Sequence, residues 1–304
     1  PLIKRSQYLV LAEVLMDARV IAANANSLYS LPEVALRINE LINAGDATNA
    51  ELEEVILHDP TLTAKVLKIV NSSYFGFSQK IETVSRAIVL IGQKELRNLA
   101  IATSVASTFK GISPKLVNME VFWYHSVTCG VITRLIAAHL NRKEQERFFI
   151  AGLLHGIGKL IFFSQFPRES ERILRLENQS DEVVTEAEQE IFGFTYAELG
   201  AELLKQWQLP DNIWRMIAFQ LDPFNDSSYK EDTCILHVAA DIANCIEPCA
   251  IKAVNLDEIK PTYKIEAWNQ LDLNPEITQT IMGETGLQIF EVLAIIKPEA
   301  VMIY

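Results

Sequence analysis

Residues 51–77 read ELEEVILHDPTLTAKVLKIVNSSYFGF, and the capping residues in and before this stretch predict two consecutive helices. Thr48 lies three residues before Glu51, the spacing of a capping box, so the first helix should begin there. Asp59 followed by Pro60 predicts the start of the second helix, because the carboxylate can accept bonds from backbone N–H groups and proline is pre-set for helical φ. Apolar residues at helical spacing continue both segments.

Helical periodicity also dominates the sequence on either side of this stretch. Leu31-Pro32 ends a first helix that begins near Leu9, and the next helix runs from Val34 to Gly45, a natural C-terminal stop. Further helices are expected near residues 83–91, 94–109, 118–140, 144–163, 166–178, 181–192, 195–207, 210–219 and 232–247. No segment shows the alternation of a strand, so the sequence predicts an all-α protein.

The composition indicates an acidic globular protein. The chain of 304 residues carries 27 Lys and Arg against 39 Asp and Glu, a formal net charge of −12. Such a surface repels nucleic-acid phosphates and anionic lipids, so we expect neither nucleic acid nor membrane as a partner. No apolar run approaches the roughly 18–20 residues that cross a bilayer. Glu13 and Asp17 interrupt the apolar N-terminal stretch, which argues against a signal peptide.

The cysteines favour a reducing compartment. Cys129, Cys234, Cys245 and Cys249 form no C-x-x-C pair, and a chain of this length needs no disulfides to be stable. We therefore expect free thiols and a cytoplasmic location.

Turn-forming residues divide the chain into two parts. The break at Gly111 to Pro114 separates shorter helices from longer ones, which predicts an N-terminal helical bundle over residues 1–112 and a second bundle over residues 113–304. The tail from about residue 250 has weaker patterning. We interpret it as extra C-terminal helices that pack on the second bundle.

Five motifs occur in order along the chain and carry a family resemblance. They are LPEVALRINEL (31–41), the stretch 51–77, IETVSRAIVLIGQKELRNLAI (81–101), FWYHSVTCGVITRLIA (122–137) and FFIAGLLHGIGKLIFF (148–163). Together they resemble the HDOD domain, the HD-related output domain of bacterial signalling proteins. The resemblance covers roughly residues 30–245. It implies an N-terminal helical bundle, whose HDOD part starts near residue 30, packed on an HD-like helical bundle.

The resemblance extends to the HD superfamily of metal-dependent phosphohydrolases and identifies the positions where a metal site is expected. His125, His155 and Asp241 match ligand positions of that superfamily, whereas Gly156, Tyr196 and Gln220 stand where its other ligands would be. A glycine cannot neutralise or bridge cations, so the resemblance implies a degenerate site without catalytic residues. The literal His58-Asp59 pair is not this motif, because Pro60 makes Asp59 a helix cap.

We assign His125, His155, Lys159 and Asp241 to a residual pocket. In one interpretation the histidines are buried and neutral, and Asp241 pairs with one of them. In the other, a single adventitious divalent metal binds His125, His155 and Asp241; no other cofactor is expected. Lys159 either meets the phosphate of a nucleotide or is a surface lysine whose stem packs on the protein.

Two further groups of residues have interpretations that the sequence leaves open. The first group is the glycines of the HGIGK region. Glycines beside Lys159 could suggest a phosphate-binding P-loop, but Leu160 stands where a P-loop needs Ser or Thr. We therefore expect Gly152, Gly156 and Gly158 to allow close helix packing.

The second group, Asn71, Tyr74, Phe75 and Phe77, forms an aromatic turn. These residues either plug the seam between the bundles or form a partner-binding surface, since aromatic residues are common interface anchors.

These observations favour a bacterial signal-transduction domain that is not catalytic. It is expected to act by binding partner signalling proteins or a small ligand such as a nucleotide. The alternative is a diverged metal-dependent phosphohydrolase that acts on a nucleotide or a cyclic dinucleotide.

Overall fold

The structure is a computed structural model, and it describes residues 17–176, 181–246, 265–273 and 276–303. The described residues form helices and connecting turns and contain no strand. The first six helices are α1 (Ala18–Leu28), α2 (Glu33–Ala44), α3 (Asn49–Leu57), α4 (Pro60–Val70), α5 (Val84–Ile91) and α6 (Gln93–Thr108). They are followed by α7 (Met119–His139), α8 (Gln145–Leu154), α9 (Ile157–Gln165), α10 (Pro167–Leu174), α11 (Asp181–Phe192), α12 (Tyr196–Gln206), α13 (Asp211–Ala218), α14 (Lys230–Ala243), α15 (Ile265–Gln270) and α16 (Glu276–Ile296). Short 3₁₀ helices lie at Pro223–Asn225 and Pro298–Ile303.

The predicted helix starts of the N-terminal bundle are confirmed by their caps. Thr48 and Glu51 form a complete capping box at α3. The Asp59 carboxylate accepts bonds from the N–H groups of Thr61 and Leu62 at the start of α4, at 2.9 and 3.0 Å. His58-Asp59 is therefore a capping element, as predicted.

The second bundle is built around α7, which packs against α8 and α14. Two glycines bring α7 and α8 together. A Cβ atom on Gly130 would lie 2.9 Å from the Phe149 side chain, and one on Gly152 would lie 2.6 Å from the Thr133 hydroxyl. Distances this short leave no room for any larger residue, so the glycines set the spacing of the helices that carry His125 and His155.

The predicted single helix over residues 144–163 is wrong. The chain forms two helices, α8 and α9, because His155 and Gly156 make a turn between them. Gly156 has φ −94° and ψ 5°, outside the helical range. The apolar residues continue through the turn, since both helices are buried, and the periodicity therefore gives no sign of the break.

The C-terminal region contacts both bundles, which corrects the expectation that it packs only on the second. The Glu291 carboxylate of α16 accepts a bond of 2.6 Å from the N–H of Ser73, just after α4. Three residues earlier, Gln288 accepts a bond from Arg134 of α7 at 3.4 Å. The helix thus ties the end of α4 to α7.

The N-terminal helix α1 crosses to the second bundle and packs against α12. The first helix was predicted to begin near Leu9, and residues 1–16 lie outside the described residues. The predicted boundary at Gly111 to Pro114 falls in the connection between α6 and α7. It stays a prediction of domain organisation.

Two helical stretches, Met119–His139 and Gln145–Gln165, are long and apolar enough to cross a membrane by length and composition. This differs from the expectation that the chain has no such stretch. Within the protein, 61% and 78% of their apolar windows are buried. Burial in the core accounts for their composition, because a helix surrounded by other helices is apolar on most sides.

Candidate functional site

Two histidines from different helices lie together in the second bundle. His125 is on α7, and His155 ends α8, with their ring centroids 5.2 Å apart and the rings tilted by 45°. The Nδ1 atom of His155 lies 2.6 Å from the carbonyl oxygen of Gly152. A carbonyl only accepts, so Nδ1 of His155 carries the hydrogen and Nε2 is the acceptor. His125 Nε2 lies 2.8 Å from the amide oxygen of Asn244, so it donates by the same reasoning.

Both imidazoles are neutral near pH 7. The pKa of His155 is lowered to about 3, first by burial and then by the neighbouring His125 and Lys159. The bond to the Gly152 carbonyl raises this pKa, but by less than the other effects lower it. Burial, followed by the Lys159 charge, also lowers the pKa of His125 to about 4. The interpretation of neutral histidines held by hydrogen bonds therefore fits the geometry.

Gln220 occupies one of the lost ligand positions and makes internal bonds instead. Its side-chain nitrogen donates to the backbone carbonyl of His155 at 2.8 Å and to that of Ile217 at 3.1 Å. Its backbone carbonyl accepts a bond of 2.7 Å from Nδ1 of His237. The residue is 3% exposed. Gln220 therefore joins the turn after α8 to α14 through hydrogen bonds of its side-chain nitrogen and backbone carbonyl.

Asp241 lies on α14 one turn after His237. Its carboxylate oxygen is 3.9 Å from Nε2 of His237 and accepts a 3.4 Å bond from the Trp268 indole N–H. The sequence suggested His155 or His125 as its partner, whereas the contacts described for the carboxylate are with His237 and Trp268. Both α14 residues are nearly buried, at 6% and 5% exposure.

The three glycines of the HGIGK region serve different purposes. A Cβ atom on Gly158 would lie 2.0 Å from the backbone oxygen of Tyr196, so α9 and α12 touch there. Gly152 is also in close contact, since its Cβ atom would lie 2.6 Å from the Thr133 hydroxyl. A Cβ atom on Gly156 would meet only the Phe122 ring, at 3.4 Å, which is an ordinary contact. The prediction of close packing is thus confirmed for Gly152 and Gly158 and wrong for Gly156.

Lys159 lies beside the histidines and against the ring of Tyr196, which stands at another position where the HD superfamily has a metal ligand. Its ammonium is 4.5 Å from the centroid of the Tyr196 ring. The N–H of Tyr196 donates to the Glu188 carboxylate at 2.8 Å. Burial raises the pKa of Glu188 to about 7, against the opposing effects of the Tyr196 N–H and of Lys159. Lys159 is half-buried and is part of the cluster, so it is not a freely solvated surface lysine.

The residues present do not fit a metal ion. Within the part of the chain that the structure describes, no group of three or more His, Cys, Asp or Glu side chains is placed to hold one. His155 is bonded through Nδ1 to Gly152 and His125 through Nε2 to Asn244, so a metal could reach His155 only at Nε2 and His125 only at Nδ1. The carboxylate that follows the histidine in the HD motif is missing at Gly156.

Three residues of the cluster were missed from the sequence: Glu188, His237 and Asn244. His237 had a usable signal, because residues four apart lie on one helix face and His237 precedes Asp241 by four. Glu188 and Asn244 had none, since they reach the cluster only through tertiary packing.

The aromatic turn is divided between core and surface. Tyr74 is 2% exposed, packs edge-on against Phe149 with centroids 5.1 Å apart, and lies under the Arg134 guanidinium. It fills the seam and cannot be a surface anchor. Phe77 is 38% exposed and stacks on Phe75, with centroids 5.8 Å apart.

Asn71, the first residue of the turn, closes the loop that follows it. Its side chain donates to the carbonyls of Leu67 and Ile81 and accepts from the Ile81 N–H, each at 2.7 Å. These three bonds hold the loop against the end of α4. Asn71 thus has a structural role, Phe75 is half-buried against the core, and Phe77 is the exposed aromatic residue of the set.

An all-helical fold with an HD-like histidine pair and a partial ligand set defines the class of this protein. The chain belongs to the HDOD domain family, which matches residues 28–223. It is similar to an uncharacterised protein of Treponema pallidum (strain Nichols), with 24% identity over 215 residues that cover 70% of this chain and 41% of that protein. It also resembles the uncharacterised protein YuxH of Bacillus subtilis (strain 168), with 29% identity over 43% of this chain and 30% of YuxH. The chain thus spans less than half the length of these relatives.

Solved structures share the fold. One is from Shewanella amazonensis SB2B, a protein provisionally named a phosphohydrolase, with a TM-score of 0.71 and 23% identity over 92% of this chain and 98% of that chain. An HDOD domain protein of unknown function from Geobacter sulfurreducens has a TM-score of 0.68 and 22% identity over 92% and 97% of the two chains. At identities this low, the likeness shows the fold alone.

Proposed function

We propose that this chain is a non-catalytic regulatory domain of bacterial signal transduction, which acts in the cytoplasm by binding other signalling proteins. One observation carries the proposal: two positions where the HD superfamily has metal ligands hold glycine and glutamine instead. Gly156 supplies no carboxylate, and Gln220 is bonded to the backbone of His155. A metal-dependent phosphohydrolase needs carboxylates that neutralise and bridge its cations, and the carboxylate that follows the histidine in the HD motif is absent here.

We propose the exposed Phe77, together with the half-buried Phe75 on which it stacks, as the surface for partner contact. Large aromatic side chains are typical anchors of interfaces, and Phe77 keeps 38% of its surface in solvent. The stack stands on a turn that Asn71 and the Glu291 carboxylate both hold in place. A preformed surface loses little conformational freedom on binding, which favours recognition.

A diverged phosphohydrolase is the second candidate, and Glu188 is the observation that favours it. A carboxylate whose pKa is about 7 can exchange protons near neutral pH, as a general acid or base must. Lys159 lies close enough to influence that pKa, and an ammonium can also hold the phosphate of a substrate. His125 and His155 are in the neutral form that metals bind.

Metal analysis and turnover assays on the purified chain separate these candidates. We expect substoichiometric Mn²⁺ and no hydrolysis of nucleotides or cyclic dinucleotides. Stoichiometric metal, together with turnover that is lost in His155→Ala or Glu188→Gln, would establish the enzyme instead. A thermal shift with nucleotide that needs no metal and disappears in Lys159→Ala would indicate a ligand sensor at the cluster.

A back-substitution tests the explanation itself. Gly156→Asp restores the missing carboxylate at a position where a Cβ atom meets only an ordinary contact with Phe122. We expect Mn²⁺ affinity to rise by about tenfold or more, the scale on which metal sites respond to changes around their ligands. Gly156→Ala is the matched control, with the same added Cβ atom and no carboxylate, and should leave affinity unchanged. Equal affinities in both variants would mean that the missing carboxylate is not the cause.

A further inference from the structure

A polar surface cavity lies at the opposite end of the second bundle from the histidine cluster. It has a volume of about 540 Å³ and opens where α8, α13 and α14 begin. Four cationic side chains line it, Arg142, Lys143, Arg147 and Lys230. We infer that this cavity, which we call the basic cavity, binds the phosphate group of a small phosphorylated molecule of nucleotide size.

The arginines of the basic cavity are held in place by ion pairs. Arg147 lies 2.6 Å from the Asp232 carboxylate, and these side chains are only 14% and 13% exposed. Arg142 pairs with Glu231, which lies beside Asp232 in the first turn of α14. Both acidic residues in the first turn of α14 are thus paired with cations from the α7–α8 side.

The lysines leave the cavity with spare positive charge. The third lining carboxylate, Glu144, is bonded to Lys94 at 2.9 Å. Lys143 and Lys230 have no carboxylate within ion-pair distance among the described residues, and both line the cavity. Two ammonium groups without a carboxylate partner, in a protein of net charge −12, make this cavity locally favourable for an anion. A dianionic phosphate matches the two lysines in charge.

The start of α14 adds backbone donors. This helix has 14 residues, and Tyr229, which precedes it, makes no side-chain capping bond. The first N–H groups of a helix have no partner within the helix, and the aligned peptide dipoles favour negative charge at that end. An uncapped first turn that faces a cavity with spare lysines is suited to a phosphate oxygen.

The loop that forms one wall of the cavity is rigid. Asp226 is fully buried and accepts bonds from the N–H groups of Ser228 and Tyr229 at 2.9 and 3.1 Å. Arg215 donates to the same oxygen at 2.8 Å. The loop therefore keeps the shape that exposes Ser227 and Ser228 at the rim, where their hydroxyl groups can donate to a ligand.

The basic cavity is separate from the histidine cluster. Arg147 and His155 both belong to the α8 segment and are eight residues apart, which corresponds to about 12 Å along a helix. On α14 the cavity residues precede His237 by five to seven residues, about 8 to 10 Å along the helix. A volume of about 540 Å³ falls within the range of small-molecule sites, roughly 300–1,000 Å³, so a mononucleotide fits without reaching the histidines.

Calorimetric titration of the whole chain with pyrophosphate and with ADP, without metal, tests the inference. We expect saturable binding of one molecule per chain. Because each lysine supplies a charge-assisted hydrogen bond, Lys143→Ala and Lys230→Ala should each weaken binding by about tenfold. Lys115→Ala removes an exposed lysine outside the cavity and should leave the affinity unchanged.

Other results would overturn the inference. No binding of either probe at millimolar concentration would do so, as would an equal loss of affinity in Lys115→Ala. Binding that disappears in Lys159→Ala but survives in Lys143→Ala would place the ligand at the histidine cluster. Thermal unfolding of each variant, compared with the wild type, separates lost binding from lost folding. The result does not depend on whether the domain is catalytic, since neither probe requires turnover.

Discussion

The two most informative motifs of the chain differ in the contacts that their residues make within one fold. In the stretch from Asp59 to Phe77, each polar residue that we singled out has a structural partner close to it along the chain. In the HGIGK stretch, the His155 ring lies against His125 and Gly158 lies against Tyr196, both distant in sequence. The polar residues of the first motif maintain local structure, whereas the second motif holds separate helices together.

The comparison separates residues that the packing needs from positions where the HD motif would have metal ligands. Gly152 and Gly158 are needed by the packing of the bundle, whatever the function. Gly156 is not constrained in this way, and it stands where the HD motif has its carboxylate. Gln220 bonds to the backbone carbonyl of His155 and so joins the turn after α8 to the end of α13. Packing and metal binding therefore make their demands on different positions of the same region.

The largest effect is expected at the seam that the first motif fills. Tyr74→Ala removes a buried aromatic ring that contacts Phe149 and Arg134, and should lower the free energy of unfolding by about 3–5 kcal/mol. Tyr74→Phe keeps the ring and should change it little. Phe77→Ala, on the exposed side of the same turn, should cost about 1 kcal/mol or less. Urea unfolding measures all three, and similar losses in Tyr74→Ala and Phe77→Ala would contradict the division between core and surface.

The next effect concerns the second motif. Gly158→Ala places a Cβ atom 2.0 Å from the backbone oxygen of Tyr196. Unlike a side chain, this oxygen cannot change rotamer to relieve the clash, so the helices must move apart. We expect a loss of about 3 kcal/mol, the upper part of the range for overpacked cores. Gly156→Ala should be tolerated, and Gly283→Ala, which meets no atom within 4 Å, should be neutral or stabilising. A Gly158→Ala protein as stable as Gly156→Ala would show that α9 and α12 do not depend on this contact.

A pH dependence of stability follows from the buried histidines. The folded pKa of His155, about 3, lies below its ordinary 6.5, so the unfolded chain binds the proton more readily. The stabilising contribution is complete above pH 6.5 and is lost as the pH falls toward 3, by up to about 1.4 kcal/mol per pH unit.

Unfolding free energies measured from pH 7.5 to pH 4.5 test this dependence. His155→Gln should flatten the dependence, whereas His139→Gln, at an exposed position on α7, should keep the wild-type slope. An unchanged slope in His155→Gln would mean that this imidazole is not the buried neutral group.

The smallest effect is expected at the cap of α4. Asp59→Ala removes two bonds to backbone N–H groups and should cost about 1 kcal/mol. Asp59→Asn retains an acceptor and should recover most of the loss. Mn²⁺ binding should be equal in all three proteins, and a selective loss of metal in Asp59→Ala would revive a ligand role for the His58-Asp59 pair.

Much of the fold was predictable because its signals are local. Caps such as Thr48 and Asp59 act on the next turn of the chain, so residue type and spacing are sufficient. The turn at His155–Gly156 was not predictable, since apolar residues run through it. The positions of α1 on α12 and of α16 across both bundles depend on packing between distant segments, which periodicity does not report.

For the candidate site, too, some features could be predicted from the sequence and others required the tertiary structure. His125, His155 and Lys159 were predicted to be near one another, and the structure brings them together. The contacts of Asp241 with His237 and Trp268, and the contribution of Glu188, required the tertiary structure. The basic cavity also depends on it, because its lysines and arginines come from the turn before α8, from α8 and from the start of α14.

The sequence by itself determined the helical class, the cap positions and the loss of the carboxylate at Gly156, because these are properties of residue type and near neighbours. Only the tertiary structure decided which histidine nitrogens are bonded, which glycines are indispensable and where positive charge is left unpaired. Those properties arise when side chains from separate helices are buried together, where distance and desolvation set the energies.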